Sequence, residues 1–372
     1  MNVLWICGSS IVGGAERVTL QIGSLLRARG HRFGALCPPG SPVQDAMRLL
    51  GLPVMAAPIG GALNLRARGA ITRALIEQTP DAALATGPDE WVWACLSRRG
   101  RTRLVLARHM ALPLSRPTAW LAARRADAIV AVSHAVRDSL HSRARAREGL
   151  VQVIYNPVRF APRADVPQPA QRESARRTLN LPVNGRWVGF FGGFAPAKGL
   201  RDVAYALHRA NRDATPVRLL LCGRADDRRA DEVRALTAEF DLADRVHDLG
   251  EIEHVEEAMT ACDVVIAATH RRLSEALSAT LVESMACGTP VLAYATGGMV
   301  EAIGDDQQAG RLARSDDRDD LARVLVEILA DPAAAERRAR AALVRVRELF
   351  DPQRAADRYE AVLERAGRGS GP

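Results

Sequence analysis

"NVLWICGSSIVGGAERVTLQIGSLLRARGHRFGALC", residues 2–37, decides the fold. Its first six residues are a short apolar run, fit for a strand buried on both faces. "GSSIVGG" is a loop with no periodicity. The next stretch places Val18, Ile22, Leu25 and Leu26 on one helical face. Gly30 then stands where a helix end favours left-handed backbone. "RFGALC" is a second apolar strand. A strand, a helix and a parallel strand make one unit of a doubly wound sheet.

The alternation continues. "AALAT", "RLVLA", "AIVAV" and "VQVI" read as strands, with helical stretches between most of them. Near residue 155 the texture changes. "YNPVRFAPRADVPQPAQ" holds four prolines and no period, which marks a linker over about residues 156–170. The α/β alternation then restarts with "RWVGFF", "VRLLLC", "RVHDLG", "DVVIAA" and "PVLAY". Helical segments such as "RADEVRALTAEF" and "TLVESMAC" are interspersed, and "PQRAADRYEAVLERA" is a closing helix. The expected domains are 1–160, 161–350, and a C-terminal helix over 351–367. Two such sheets facing each other offer a ligand the cleft between the carboxyl ends of their strands.

Bulk composition narrows the function. The 372 residues are 48% hydrophobic and 25% charged, a balance ordinary for a soluble globular chain. Aromatic residues are only 4%, too few for a stacking platform, so nucleic acid is not an expected partner. The net charge of +8 is unevenly spread: +11 over residues 1–155 and −3 over the rest. A basic half suits anionic lipid head groups or an acidic glycan, and equally a solvated face with no partner. The six cysteines are dispersed, most of them in apolar segments, as buried free thiols of a reducing compartment are. No apolar run approaches the roughly 18 residues that span a bilayer, and the N-terminus lacks the pattern of a signal peptide. The expected location is the cytoplasm, with peripheral contact at the inner face of the membrane.

Three segments carry chemistry. Gly13 and Gly14 lie in the first strand-to-helix loop, where helix amides point at ligand. Their spacing from Gly8 is not G-x-G-x-x-G, and no Walker lysine follows, so alone they read as a tight turn. The second segment, "GGFAPAKGL" (192–200), holds Lys198, the one lysine beside fifty arginines. The glycine pair Gly192 and Gly193 lets backbone approach a phosphate, and a lysine's compact charge reaches it from beside the loop. The third, "SEALSATLVESMACGTPV" (274–291), places Glu275 in a loop and Glu283 about one turn into a helix. That helix starts near Ala279 or Thr280 and closes at Gly288. Its N-terminus suits an anion, and Glu283 suits a ribose diol. Asp317 and Asp319 form an Asp-x-Asp, read as acids at a helix start rather than a metal site.

With these stretches "AVSHAVRDSL" (131–140), "VIYNPV" (153–158) and the extension "LAYATGGMVEAI" to residue 303, the chain resembles glycosyltransferase family 4, the retaining group 1 type. The resemblance covers nearly the whole chain in order. It implies the GT-B fold: two Rossmann-like domains facing across a cleft, with the last helix crossing back to the first domain. It implies transfer of a sugar from a nucleotide diphosphate sugar to a glycan or lipid-linked acceptor, as in bacterial polysaccharide or lipopolysaccharide synthesis. By position, Lys198 meets the donor diphosphate and Glu283 the ribose. Glu275, Ser278, Ala279 and Thr280 meet the donor sugar and phosphates. Gly13 and Gly14 face the diphosphate or acceptor, and His109 stands near the reacting sugar. A front-face reaction without metal or other cofactor is implied, the leaving phosphate taking the acceptor's proton.

Two departures stand out. The family's phosphate-loop arginine is Gly193 here, and its Gly-Asp-Gly turn is "GRAD" at 223–226. Arg224, Arg271 and Arg272 are candidate replacements. A non-catalytic partner subunit, or a nucleotide-sugar epimerase or hydrolase of the same fold, remains an alternative.

Overall fold

Both halves of the chain put their first strand in the middle of a sheet. The computed structural model describes residues 1–364 except 62–63, 99, 113, 145–146, 212–216, 224–228 and 274–275; no side chain is described at 143, 144, 229 and 273. The described residues divide into two units, Met1–Arg159 with the chain from Asp351 onward, and Phe160–Phe350.

In the first unit the strands are β1 (Asn2–Ile6), β2 (Arg32–Cys37), β3 (Val54–Ala56), β4 (Ala82–Ala85), β5 (Arg103–Arg108), β6 (Ala128–Ala131) and β7 (Val151–Val153). The helices between them are α1 (Gly14–Ala28), α2 (Pro42–Leu49), α3 (Leu65–Gln78), α4 (Pro88–Ser97), α5 (Arg116–Arg125) and α6 (His134–Ala144). The described strands form one parallel sheet ordered β3-β2-β1-β4-β5-β6-β7. The order reverses between β1 and β4, the switch point at which Rossmann-like sheets bind ligand. Trp5, Ile22, Leu26 and Phe33 fill the core on one face.

The second unit contains α7 (Pro169–Thr178), β8 (Arg186–Phe191), α8 (Leu200–Ala210), β9 (Val217–Cys222), α9 (Arg229–Glu239), β10 (Val246–Asp248), α10 (Val255–Ala261) and β11 (Val264–Ala267). It continues with α11 (Ala279–Ala286), β12 (Val291–Tyr294), α12 (Gly298–Ile303), β13 (Arg311–Ala313), α13 (Arg318–Ala330) and α14 (Pro332–Leu349). The described strands form a parallel sheet ordered β10-β9-β8-β11-β12-β13, which again reverses, between β8 and β11. The sequence reading lacks β3 and β13, each three residues long.

The proline-rich segment is less free than its composition suggests. Pro169 is already in the first turn of α7. Arg163 N donates to Ala286 O at 2.9 Å, and Val166 is buried against Ala339 and Leu343. The chain from residue 160 is therefore fastened into the second unit.

The last helix, α15 (Pro352–Glu364), belongs to the first unit. Ala355, Ala356, Tyr359, Val362 and Leu363 enter the core shared with β1 and α1. Arg29 reaches Asp357 and Glu360 at 2.7 and 2.8 Å, and His31 reaches Glu360 at 2.8 Å. These partners hold the Glu360 carboxyl below its ordinary range, the Arg29 hydrogen bond contributing most.

Candidate functional site

At the carboxyl edge of the second sheet, β8 ends at Phe191 and runs into Gly192 and Gly193. Gly192 N donates to Cys222 O at 2.8 Å, so this loop is tied to the end of β9. A Cβ added at Gly193 meets nothing within 4 Å, leaving the backbone open. Pro196–Lys198 then forms a single 3₁₀ turn, with Lys198 N donating to Ala195 O at 2.7 Å. Lys198 is half-buried and precedes α8 rather than lying within a helix. Gly199 sets where α8 begins. Its φ is 75°, and a Cβ there would lie 2.1 Å from Ala268 O at the end of β11. No other residue brings the Lys198 turn so close to the neighbouring strand.

The helix α11 comes to the same loop. Ser278 is its N-cap and accepts from Leu281 N at 3.4 Å. Thr280 Oγ1 donates to Phe191 O at 3.1 Å, which ties the first turn of α11 to the residue before Gly192. Ala279 is exposed, and the first amides of a helix have no acceptor within it. Glu283 follows on α11 and is only 5% exposed. Open glycine backbone and a helix N-terminus thus lie together, with Lys198 further along the same segment, and each favours an anion. Gly288 takes φ 65° just past the helix, as its sequence position implied. Glu275, the first of the two acids, lies outside the described residues, as does Arg224. Arg271 and Arg272 are exposed on the 3₁₀ turn that follows β11.

The carboxyl edge of the first sheet is built differently. Gly13 caps α1 in extended backbone, and its amide donates to Glu16 Oε2 at 2.9 Å. The carboxylate of Glu16 therefore already serves that amide, whereas a Cβ at Gly14 meets nothing within 4 Å. Gly8 N donates at 2.6 Å to Glu90, which is 8% exposed and whose burial raises its carboxyl pKa. A Cβ at Gly8 would lie 2.4 Å from that carboxylate. His109 follows β5. Among the described residues neither of its buried ring nitrogens has a well-aligned hydrogen-bond partner, and Asn156 is the polar side chain beside the ring. Burial lowers the His109 pKa to about 4; Asn156 opposes this and Arg108 adds to it. The ring is a neutral imidazole near pH 7.

Sequence reasoning missed Glu90 and His270. Glu90 stands five residues past β4, the strand beside β1, and His270 three residues past β11; a titratable residue just past a central strand was the available signal. Asp317 is the N-cap of α13, accepting from Asp320 N at 2.9 Å, and Asp319 accepts from Tyr205 OH at 2.5 Å. Among the described residues one trio of metal-capable side chains lies close together, His31, Glu360 and Glu364. The first two are already engaged with each other, and Glu360 with Arg29. No described helix is long and apolar enough to cross a membrane.

Comparison with known proteins bears on these features. Residues 171–344 match "Glycosyl transferases group 1", and residues 12–161 match "Glycosyltransferase Family 4". The D-inositol 3-phosphate glycosyltransferase of Stackebrandtia nassauensis is 32% identical over 235 residues, 58% of this chain and 50% of that protein. The 2-deoxystreptamine glucosyltransferase of Streptomyces kanamyceticus is 31% identical over 252 residues, 65% of this chain and 62% of that protein. The matches thus span about half to three fifths of these relatives. Among solved structures, Anabaena HepE in complex with UDP has a TM-score of 0.84 at 22% identity, covering 98% of this chain and 100% of that one. Sucrose-phosphate synthase from Thermosynechococcus elongatus has a TM-score of 0.78 at 20% identity, covering 98% of both chains. At these identities the structures establish a shared fold, two Rossmann-like units of the GT-B class. With its two halves matched in order, the chain belongs to the group 1 glycosyltransferases, glycosyltransferase family 4.

Proposed function

We propose that the protein is a retaining glycosyltransferase, moving a sugar from a nucleoside diphosphate sugar to a glycan or lipid-linked acceptor in bacterial cell-surface polysaccharide or lipopolysaccharide synthesis. The second unit takes the donor and the first unit the acceptor. The observation that carries this reading is the bond from Thr280 to Phe191 O, which gathers the glycine loop and the N-terminus of α11. Lys198 and the α11 amides neutralise charge developing on the leaving diphosphate. Glu283 holds the ribose. Glu275 and the backbone at 278–280 hold the sugar and phosphates. His109, a buried neutral ring, suits a sugar hydroxyl or the reacting carbon's surroundings. The leaving phosphate takes the acceptor's proton.

The Lys198 charge and the helix terminus do the work a divalent cation does elsewhere, so turnover persists in EDTA. UDP is the first nucleotide to try, because HepE was solved with it. Turnover measured across UDP-, GDP- and ADP-sugars tests the reading. A product carrying an added sugar supports it. Failure to bind any of the three donors favours a non-catalytic subunit, which Gly193 in place of arginine makes the competing reading.

The protein is further proposed to work in the cytoplasm at an anionic membrane surface. Trp120 on α5 is 56% exposed, beneath the Arg124 guanidinium at 4.9 Å, and α5 carries no acid. Leu65 and Ile76 are exposed on α3 with Arg66, Arg68 and Arg73. Sedimentation with phosphatidylglycerol vesicles, weakened in Trp120→Ala, supports this; equal sedimentation with neutral vesicles contradicts it.

A further inference from the structure

We infer that His270 is a positioning residue that locks the Lys198 turn in place through two carboxylates. Its ring Nε2 is 3.2 Å from Asp202 Oδ2 and its Nδ1 2.8 Å from Asp316 Oδ1. Each ring nitrogen thus faces a carboxylate oxygen. The two carboxylates come from different elements. Asp202 is in the first turn of α8, four residues after Lys198, and its amide donates to Gly199 O at 3.0 Å. Asp316 lies between β13 and α13 with φ 61°, a left-handed conformation that needs support in a residue other than glycine. His270 and the Arg271 amide, 3.2 Å from the same oxygen, supply that support.

The backbone of His270 completes the lock. Its N–H donates to Ala197 O at 2.8 Å, and Ala197 is the residue before Lys198. Tyr294, fully buried at the end of β12, donates its hydroxyl to Asp202 Oδ2 at 2.7 Å. Thr296 Oγ1 donates to Thr269 O at 3.2 Å. One imidazole thus joins the segments that leave β8, β11 and β13, and Asp202 adds Tyr294 at the end of β12. The flexible lysine stem is useful against a diphosphate only if its anchor is fixed, because ordering it on binding would consume affinity. The 3₁₀ turn at Pro196–Lys198 is short, and the His270 amide fastens its middle residue. The lock supplies the preorganisation.

This inference rests on the proposed donor role of Lys198, so two readouts separate the claims. The first needs no ligand. Hydrogen exchange in His270→Ala is expected to accelerate at residues 196–203 and 269–271, with β9 and α14 unchanged. Unchanged exchange in those segments, or acceleration throughout the unit, overturns the lock. The second is calorimetric titration of UDP, GDP and ADP into the wild type, His270→Ala, Lys198→Ala and the double variant. His270→Ala is expected to weaken nucleoside diphosphate binding about tenfold in the wild type and less than about twofold in the Lys198→Ala background. An equal loss in both backgrounds means that His270 does not act through Lys198. Failure of the wild type to bind any of the three removes the donor reading, while exchange still decides the lock. Should His270→Ala fail to fold, Asp316→Asn, at a half-exposed side chain, is expected to give the same pattern at smaller size.

Discussion

His109 offers a test of the first unit that needs no substrate. Burial takes its pKa from the ordinary 6.5 to about 4, so the folded chain binds fewer protons than the unfolded chain between these values. Stability therefore rises with pH through this window. The contribution is intact above about pH 6.5 and is lost as pH falls toward 4. Integrating the linkage from pH 7 to pH 5 gives a loss of about 2 kcal/mol from this one side chain. His109→Gln removes the titration while keeping a polar group of similar reach. Trp5, Trp91, Trp93 and Trp120 lie in the first unit and Trp187 alone in the second, so tryptophan fluorescence follows chiefly the unit that holds His109. Urea unfolding at both pH values is then compared. The wild type is expected to lose about 2 kcal/mol more than the variant between pH 7 and pH 5. Equal losses, or an imidazole resonance titrating near 6.5, would refute the buried neutral ring.

Other consequences are as specific. Gly199→Ala places a Cβ 2.1 Å from Ala268 O in left-handed backbone, and is expected to destabilise the second unit by about 3 kcal/mol in thermal unfolding. Thr280→Val removes the bond to Phe191 O; calorimetry is expected to show about 1 kcal/mol of lost stability, with KM for the donor rising more than kcat falls. Gly193→Arg meets open space, and is expected to tighten nucleoside diphosphate binding about tenfold by returning a bidentate guanidinium. Weaker binding there would mean that the glycine is needed as it stands. Glu90→Gln removes a carboxylate whose burial raises its pKa. The wild type should gain stability on acidification through that raised range, and the variant should lack the gain.

Much of this was legible in the chain because parallel strands buried on both faces announce themselves as apolar runs. β1, β8 and β11 fall where "NVLWIC", "RWVGFF" and "DVVIAA" put them. The start of α11 at Ala279 and the end marked by Gly288 followed from cap chemistry alone. β3 and β13 were not legible, since three residues are too few to show a period. The division between the units, at Arg159 and Phe160, falls within the proline-rich residues 156–170, where prolines signal irregular backbone; Val166 is irregular and buried. Spacing marked Lys198, Gly192, Gly193, Thr280 and Glu283 as candidates, but not the bond from Thr280 to Phe191 O. Gly13 could be found too, but not that Glu16 serves its amide. The Asp202–His270–Asp316 arrangement could not, as it joins residues brought together only by the crossover of strands.

The central claim is that the carboxyl edge of the second sheet holds a nucleoside diphosphate through Lys198. Calorimetric titration of UDP, GDP and ADP into the wild type and Lys198→Ala tests it most directly. The account predicts that at least one binds the wild type with micromolar affinity and binds Lys198→Ala at least about tenfold more weakly. Equal affinity in the two proteins, or no binding by the wild type, would contradict it.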